Sequence, residues 1–433
     1  MTEFEIGLVG TGALLLMVFA GVRIYTVAAI VGVLGVVYII GWDAGAGIGG
    51  TVPHSKSVNY ALSVLPMFIL IGFIAYHAGL THALFRAAKA WVGWVPGGLA
   101  VASVFATAGF AAVSGASTAT AAVFSRVAIP HMLDAGYDRR LAAGVVAAGG
   151  TLASLIPPSA ILVIYAIIVE ESVGTLIMAG FVPGVVSALV YAALIIGQCK
   201  LKPELGRPIP SPPMKEKLAS LPGTLPIIAV VAIIFYSMYS GTATPTEAGA
   251  LGAFVVLIMA IVRGMSWKNL RSALEETARL TVMIFALIWG ILIFVRFLGY
   301  AGLPQAFAEW IVTLPFPPII IMIGILLGYA VLGMFMDAIG MLLLTLPVVY
   351  PAVIALGYDP IWFGIIVVKM CEVCLITPPV GLNCYVVAAV RPDIPLGDVF
   401  RGIAPFFVAD VVTVGLFLAF PGIILWLPSL INQ

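Results

Sequence analysis

Apolar residues run along this chain in long blocks, and polar residues mark where the blocks end. A block of about 20 apolar residues is long enough to cross a bilayer as a helix. Such blocks fall at 6–22, 24–42, 58–79, 140–169, 173–199, 222–240, 245–262, 279–299, 360–390 and 403–430. Two further regions, 97–130 and 317–354, depart from the pattern. Each holds two apolar pieces of roughly 12–17 residues, too short to cross comfortably and suited to re-entrant hairpins. Their polar or glycine-rich centres are Ser114-Gly115-Ala116-Ser117-Thr118 and Gly333-Met334-Phe335-Met336-Asp337. A weakly amphipathic stretch precedes each, at 82–94 and 305–311, and is expected to lie along the interface as an arm. The longest polar segment, 200–220, divides the chain into halves at 1–220 and 221–433, with one hairpin in each. The expected fold class is an all-α polytopic membrane protein with ten crossings and two hairpins.

The two halves repeat each other. Pro130, Gly136, Tyr137, Asp138, Pro157 and Pro158 reappear as Pro351, Gly357, Tyr358, Asp359, Pro378 and Pro379, each pair 221 residues apart. A Pro pair removes two N–H donors, so neighbouring carbonyls lose their helical partners. In lipid such a break survives only where protein or a polar cavity satisfies the freed groups. Interrupted helices at matching places in two halves point to a secondary transporter that binds its cargo near the bilayer midplane.

Composition agrees with the membrane reading. Hydrophobic residues make up 62% of the chain and charged residues 9%, against about 25% charged in a soluble domain. The net charge of +1 gives no electrostatic footprint for nucleic acid. The first residues, Met1 to Glu5, lack the basic region of a cleavable signal peptide, so the first apolar block is expected to be a retained span. Outside the apolar segments, every Lys and Arg except Lys56 falls on one side of the implied membrane. That side is the cytoplasm. Both termini then face outward, and the hairpin near 97–130 opens inward while the one near 317–354 opens outward, which makes the repeat an inverted one.

Candidate chemistry gathers at the hairpin centres and the Pro breaks. The hydroxyls of Ser114, Ser117 and Thr118 are hard oxygen ligands suited to a small cation or to a polar substrate; the plain reading of the same residues is close helix packing. Ser159 and Asn383, beside the two Pro pairs, join Ser117, Thr118 and Asp337 as candidates for substrate contact. Asp337 fits either a site role or a helix N-cap. Lys369 and Glu372 stand three apart on one helix and are expected to pair with each other. Cys371 and Cys374 form a Cys-x-x-Cys, but inside an apolar helix they read as small buried thiols rather than a redox or metal pair. No P-loop, histidine cluster or paired-aspartate constellation appears, so the sequence reads as neither an ATPase nor an intramembrane enzyme.

These same stretches carry a family resemblance. Ser114-Gly115-Ala116-Ser117-Thr118-Ala119-Thr120-Ala121, the Gly136-Tyr137-Asp138 loop, Ile156-Pro157-Pro158-Ser159, Gly333-Met334-Phe335-Met336-Asp337 and Ile376-Thr377-Pro378-Pro379-Val380-Gly381-Leu382-Asn383 resemble the large membrane subunit of tripartite ATP-independent periplasmic (TRAP) transporters. The resemblance covers essentially the whole chain. It implies an elevator-type sodium symporter of the bacterial inner membrane, working with a small four-helix membrane subunit on a separate chain. It also implies a periplasmic substrate-binding protein that delivers an organic acid, of the C4-dicarboxylate, sialic acid or keto-acid class. Carried over by position, one sodium site takes the Ser114 hydroxyl with carbonyls of Ala153, Ile156 and Pro158. The other takes carbonyls of Gly333, Cys374 and Val380, with Thr377. Ala153 and Cys374 stand where the family commonly shows glycine, but a carbonyl ligand needs no particular side chain. A stand-alone sodium/anion symporter needing no binding protein is the alternative.

The charge pattern yields a direct test. Five of the residues in 200–220 are Lys or Arg, so this segment is cytoplasmic. A cysteine introduced at Ser211 is expected to resist impermeant thiol reagents in intact spheroplasts and to react once the membrane is opened. Efficient labelling of sealed spheroplasts would reverse the orientation.

Overall fold

The computed structural model describes residues 1–58 and 60–430. Every regular element among the described residues is helical, and one series of elements occurs twice. In the first half it comprises an arm (Leu80–Val92), a helix pair (Gly98–Ser114 and Ser117–Asp134), a broken helix (Arg139–Thr151 and Ala160–Val169) and a long helix (Val173–Leu201). In the second it comprises Leu303–Thr313, then Pro318–Gly333 with Ala338–Ala355, then Pro360–Ile376 with Leu382–Val390, then Leu396–Ala419. The helices Glu3–Phe19, Ile24–Ile40 and Val64–His77 precede the first series, and Leu225–Tyr239, Pro245–Val262 and Trp267–Tyr300 precede the second.

The repeated short motifs are the punctuation of this series. Each arm starts after a left-handed glycine, Gly79 at φ +70° and Gly302 at φ +68°, a conformation that costs glycine nothing. At Gly79 the chain bends by 72° between Val64–His77 and the arm. The first arm is more strongly amphipathic than its sequence suggests. Leu80, Ala83, Leu84 and Ala87 are buried on one face while His82 and Arg86 are exposed, the spacing of a helix lying on a surface. The Gly-Tyr-Asp motif closes each helix pair and opens each broken helix. Gly136 and Gly357 take positive φ. Asp138 then accepts the N–H groups of Arg140 and Leu141 at 2.8 and 3.1 Å, and Asp359 that of Trp362 at 2.8 Å. Both aspartates are N-caps, each worth about 1 kcal/mol to its helix.

Three stretches differ from the sequence expectation. The block at 403–430 is not one crossing: Leu396–Ala419 stops before Pro421, and a short helix, Gly422–Ser429, packs on Val173–Leu201. Pro421 cannot donate the N–H that would continue the longer helix. Trp42–Ser57 is helical although it is rich in glycine and lacks a long apolar run. The polar segment at 200–220 also contains a helix, Met214–Ser220, which rests on the first arm. Among the described residues, five helices are fit by length and composition to cross a membrane, or up to seven if each of two bent pairs is one span, fewer than the ten blocks because several apolar helices are shorter than 18 residues.

The halves meet along several helix pairs, among them Ile24–Ile40 with Trp267–Tyr300, and one of these seams carries buried charge. Arg139–Thr151 of the first half packs on Leu396–Ala419 of the second. Gly144 and Gly402 bring their backbones so close that a Cβ on either would collide with carbonyl oxygen across the seam. At its end Asp398 takes Arg139 at 2.6 Å and Arg140 at 3.0 Å. Deeper in, Lys369 pairs with Glu372 at 2.7 Å, as their spacing predicts, and equally with Asp410 at 2.7 Å. Tyr191, from the first half's long helix, donates its hydroxyl to the same Asp410 oxygen at 2.7 Å and lies 3.4 Å from the Thr151 hydroxyl. Lys369, Glu372 and Asp410 are wholly buried. Removing one partner of such a cluster leaves an uncompensated charge in a low-dielectric interior, at about 3–5 kcal/mol.

That cost sets an ordered pair of outcomes. Lys369→Met strands two buried carboxylates and is expected to lower the thermal unfolding temperature of the purified protein severely or to prevent its accumulation. Tyr191→Phe removes only one neutral donor to that carboxylate and is expected to cost about 1.5–3 kcal/mol. Equal effects in the two variants would mean that the charges at this seam are not what holds it.

Candidate functional site

Each hairpin tip closes onto the break of its own half. In the first half Ser114 ends one helix, Gly115 turns the chain at φ +56°, and Ser117 opens the next helix two residues later. A Cβ on Gly115 would come within 2.7 Å of the Pro158 carbonyl oxygen, so only glycine lets the tip approach the break this closely. The Ser117 hydroxyl meets that of Ser154 at 2.7 Å. In the second half Gly333 is pressed against Cys374, whose sulfur a Cβ at Gly333 would overlap. Gly381 takes φ +49° and starts the second part of the broken helix. The Gly115–Pro158 and Ser117–Ser154 contacts thus set the tip that holds Ser114 against the break that holds Ala153, Ile156 and Pro158, and Gly333, Cys374, Thr377 and Val380 belong to the other tip and its break.

The breaks expose carbonyls without donors. Among the described residues no N–H or O–H is bonded to the carbonyl oxygens of Ala153, Ile156 or Pro158, nor to those of Gly333 or Val380 outside helical ladders. The Cys374 carbonyl already accepts the Thr377 N–H, at 3.3 Å. Ala153, Ile156, Pro158 and Gly333 are buried, and buried carbonyls are rarely left without partners.

The hydroxyls nearby are arranged to leave lone pairs free. Thr120 spends its one proton on the Ala116 carbonyl at 2.9 Å, so in the 2.8 Å contact between Ser114 and Thr120 the Ser114 hydroxyl is the donor. Its own lone pairs are left to accept or to ligate. Thr377 likewise donates to the Val373 carbonyl, at 2.6 Å, and keeps its lone pairs.

The candidates for substrate contact divide. Asn383 is wholly buried and donates from Nδ2 to the Ala147 carbonyl of the other half at 3.1 Å, while its Oδ1 has no partner. Ser117 is engaged with Ser154, and Thr118 beside it is half-buried. Ser159 caps Ala160–Val169: its hydroxyl donates to the Ser154 carbonyl and accepts the Leu162 N–H at 3.4 Å. Asp337 is exposed and caps Ala338–Ala355 by accepting the Gly340 N–H at 3.1 Å. The two breaks also differ in access. The first is buried throughout, whereas Pro378, Pro379 and Val380 of the second are exposed.

Sequence reasoning did not find Tyr191, Thr151 or Ser154 as partners, because a hydroxyl in an apolar helix gives no sign of what it faces. Asp410 is a charge in an apolar stretch, but its link to Lys369 spans 41 residues and follows no short-range spacing. The network nonetheless touches both breaks. Thr151 lies two residues before Ala153, and Glu372 two residues before Cys374.

Comparisons with known proteins place this architecture. Residues 9–423 match the family described as the tripartite ATP-independent periplasmic transporter, DctM component. A C4-dicarboxylate TRAP transporter large permease protein of Pseudomonas aeruginosa is 36% identical over 86% of this chain and 87% of its own length. A sialic acid TRAP transporter large permease protein of Vibrio cholerae is 30% identical over 86% of this chain and 87% of its own. The crystal structure of the YdaH transporter of Alcanivorax borkumensis superposes with a TM-score of 0.60 at 16% identity, covering 89% of this chain and 90% of that one, and so shares the fold. The chain therefore belongs to the DctM component family, and is the large, multi-pass inner-membrane permease subunit of a TRAP transporter.

Proposed function

We propose that this subunit carries an organic acid across the inner membrane by sodium symport, using acid delivered by a periplasmic binding protein and working beside a small four-helix membrane subunit. The observation that carries the reading is the pair of tip-on-break contacts, each with carbonyls that lack donors. A monovalent cation takes oxygen ligands without needing a charged side chain, which is what these sites offer. At the first site the ligands are the Ser114 hydroxyl and the Ala153, Ile156 and Pro158 carbonyls. At the second they are the Gly333, Cys374 and Val380 carbonyls with Thr377. Once sodium is bound, the N-terminal ends of Ala160–Val169 and Leu382–Val390 add positive potential that suits a carboxylate.

The substrate class follows from that chemistry and from the relatives, which are named for C4-dicarboxylates and sialic acid. In this reading the helix pairs, broken helices and long helices of both halves move as one body against the remaining helices and arms. The step is driven by the sodium gradient and breaks no covalent bond, so no enzyme activity is assigned.

Two measurements test it. In proteoliposomes holding both membrane subunits, uptake of a cognate acid is expected to require both external sodium and the binding protein. Uptake by the membrane subunits alone in sodium-free buffer would favour a stand-alone or proton-coupled carrier instead.

Ser114→Ala separates ligation from packing. It removes one hydroxyl and little volume, and Thr120 keeps its bond to Ala116. Loss of one ligand oxygen is expected to weaken sodium binding by roughly 1–3 kcal/mol, which raises the half-saturating sodium concentration by about five- to a hundredfold. An unchanged sodium dependence at equal protein level removes Ser114 from the site.

A further inference from the structure

Arg126 is a cation that neither the fold nor the sodium sites account for. It is exposed, and among the described residues it forms no hydrogen bond and no ion pair. Its helix, Ser117–Asp134, starts at the first hairpin tip, which puts Arg126 about 13 Å along the axis from that tip at 1.5 Å per residue. Ala119, Ala122, Val123 and Arg126 follow the spacing of one helical face. That face lines a cavity of about 180 Å³ which begins at Ser114 and Ala116 and has Gly72 and Glu276 on its opposite wall. A second cavity, of about 490 Å³, shares Tyr76, Val123 and Arg126 with the first and continues past His77, Thr81 and His82. This far end adjoins the arm that bears Arg86 and Lys89, on the cytoplasmic side by the distribution of basic residues.

We propose that the two joined cavities are the cytoplasmic release path, and that Arg126 is its anion-binding residue. An organic anion, carboxylate or sulfonate, leaving the hairpin tip meets a guanidinium whose planar fork suits either group. Glu276 stands across the first cavity on Trp267–Tyr300, with His77 at 3.3 Å from its Oε1. Its carboxylate competes for Arg126 and keeps the anion from being held too tightly. The inference rests on the transport reading but not on sodium coupling.

The test uses charged thiol reagents as the probe, so it needs neither a known substrate nor turnover. Ala122→Cys, half-buried and one turn from Arg126, is introduced into the complex of both membrane subunits and labelled in inside-out vesicles. The background from the four native thiols, all buried, is taken from the complex without that change. The anionic reagent 2-sulfonatoethyl methanethiosulfonate is compared with its trimethylammonium counterpart. Adding Arg126→Gln is expected to lower the ratio of anionic to cationic labelling rates by about tenfold, the effect of one nearby charge in a poorly screened cavity. Arg126→Lys is expected to hold the ratio within about twofold and to show that the substituted helix still folds. A ratio indifferent to Arg126→Gln overturns the role of Arg126. A thiol that reacts only from the periplasmic face, or from neither face, overturns the path. Because these readings contain no sodium-dependent step, a failure of sodium coupling would leave them unchanged.

Discussion

The structure depends on what becomes of backbone carbonyls where a helix stops inside a membrane protein. Each Pro pair deletes two donors in a segment otherwise apolar enough for lipid, so the oxygens left behind need partners that water cannot supply there. The fold answers by bringing a second interruption, the tip of a hairpin, against each break. Gly115 against Pro158 and Gly333 against Cys374 are the two closures, and both tolerate nothing larger than hydrogen at the glycine. At the first break the residual oxygens are buried, lack donors among the described residues and are spaced by the backbone rather than by flexible side chains. A cation site of the kind proposed would be specified by backbone geometry, so the candidate positions Ala153 and Cys374 need no cation chemistry in their side chains.

Much of this was legible in the sequence because its signals are local. Pro130, Gly136, Tyr137 and Asp138 sit within nine residues and recur with one offset, so the end of a helix pair and the start of a broken helix are written out twice. The structure supplies the reason for each letter, with glycine at positive φ and aspartate as the N-cap. Hydropathy located the apolar blocks well and their ends less well. It carried the last block through Phe420 and Pro421, where an apolar sequence continues but the helix cannot.

The rest was hidden because it is set by long-range packing. Ser159 and Asp337 were candidates for substrate contact on residue type and place, and each turns out to spend oxygen on capping its own helix. A hydroxyl or carboxylate next to a helix start has that use available whatever else it does. Asn383 shows the reverse. Nothing in its neighbourhood foretold a bond to Ala147 in the other half, nor the buried Oδ1 left without a donor.

The seam between the halves has a consequence for biogenesis. Gly144 and Tyr191 leave the ribosome long before Gly402 and Asp410, the groups they meet in the finished protein. The first half must therefore enter the membrane with its seam face open and Tyr191 without its Asp410 partner. Lys369 and Glu372 follow as a pair, and Lys369 waits for its second carboxylate, Asp410. Insertion of this chain is thus an ordered event in which the helix Leu396–Ala419 arrives as the closing element. Until that late helix is placed, small residues and polar groups meant for protein contact face lipid or chaperone, and the nascent chain is most exposed to quality-control proteolysis.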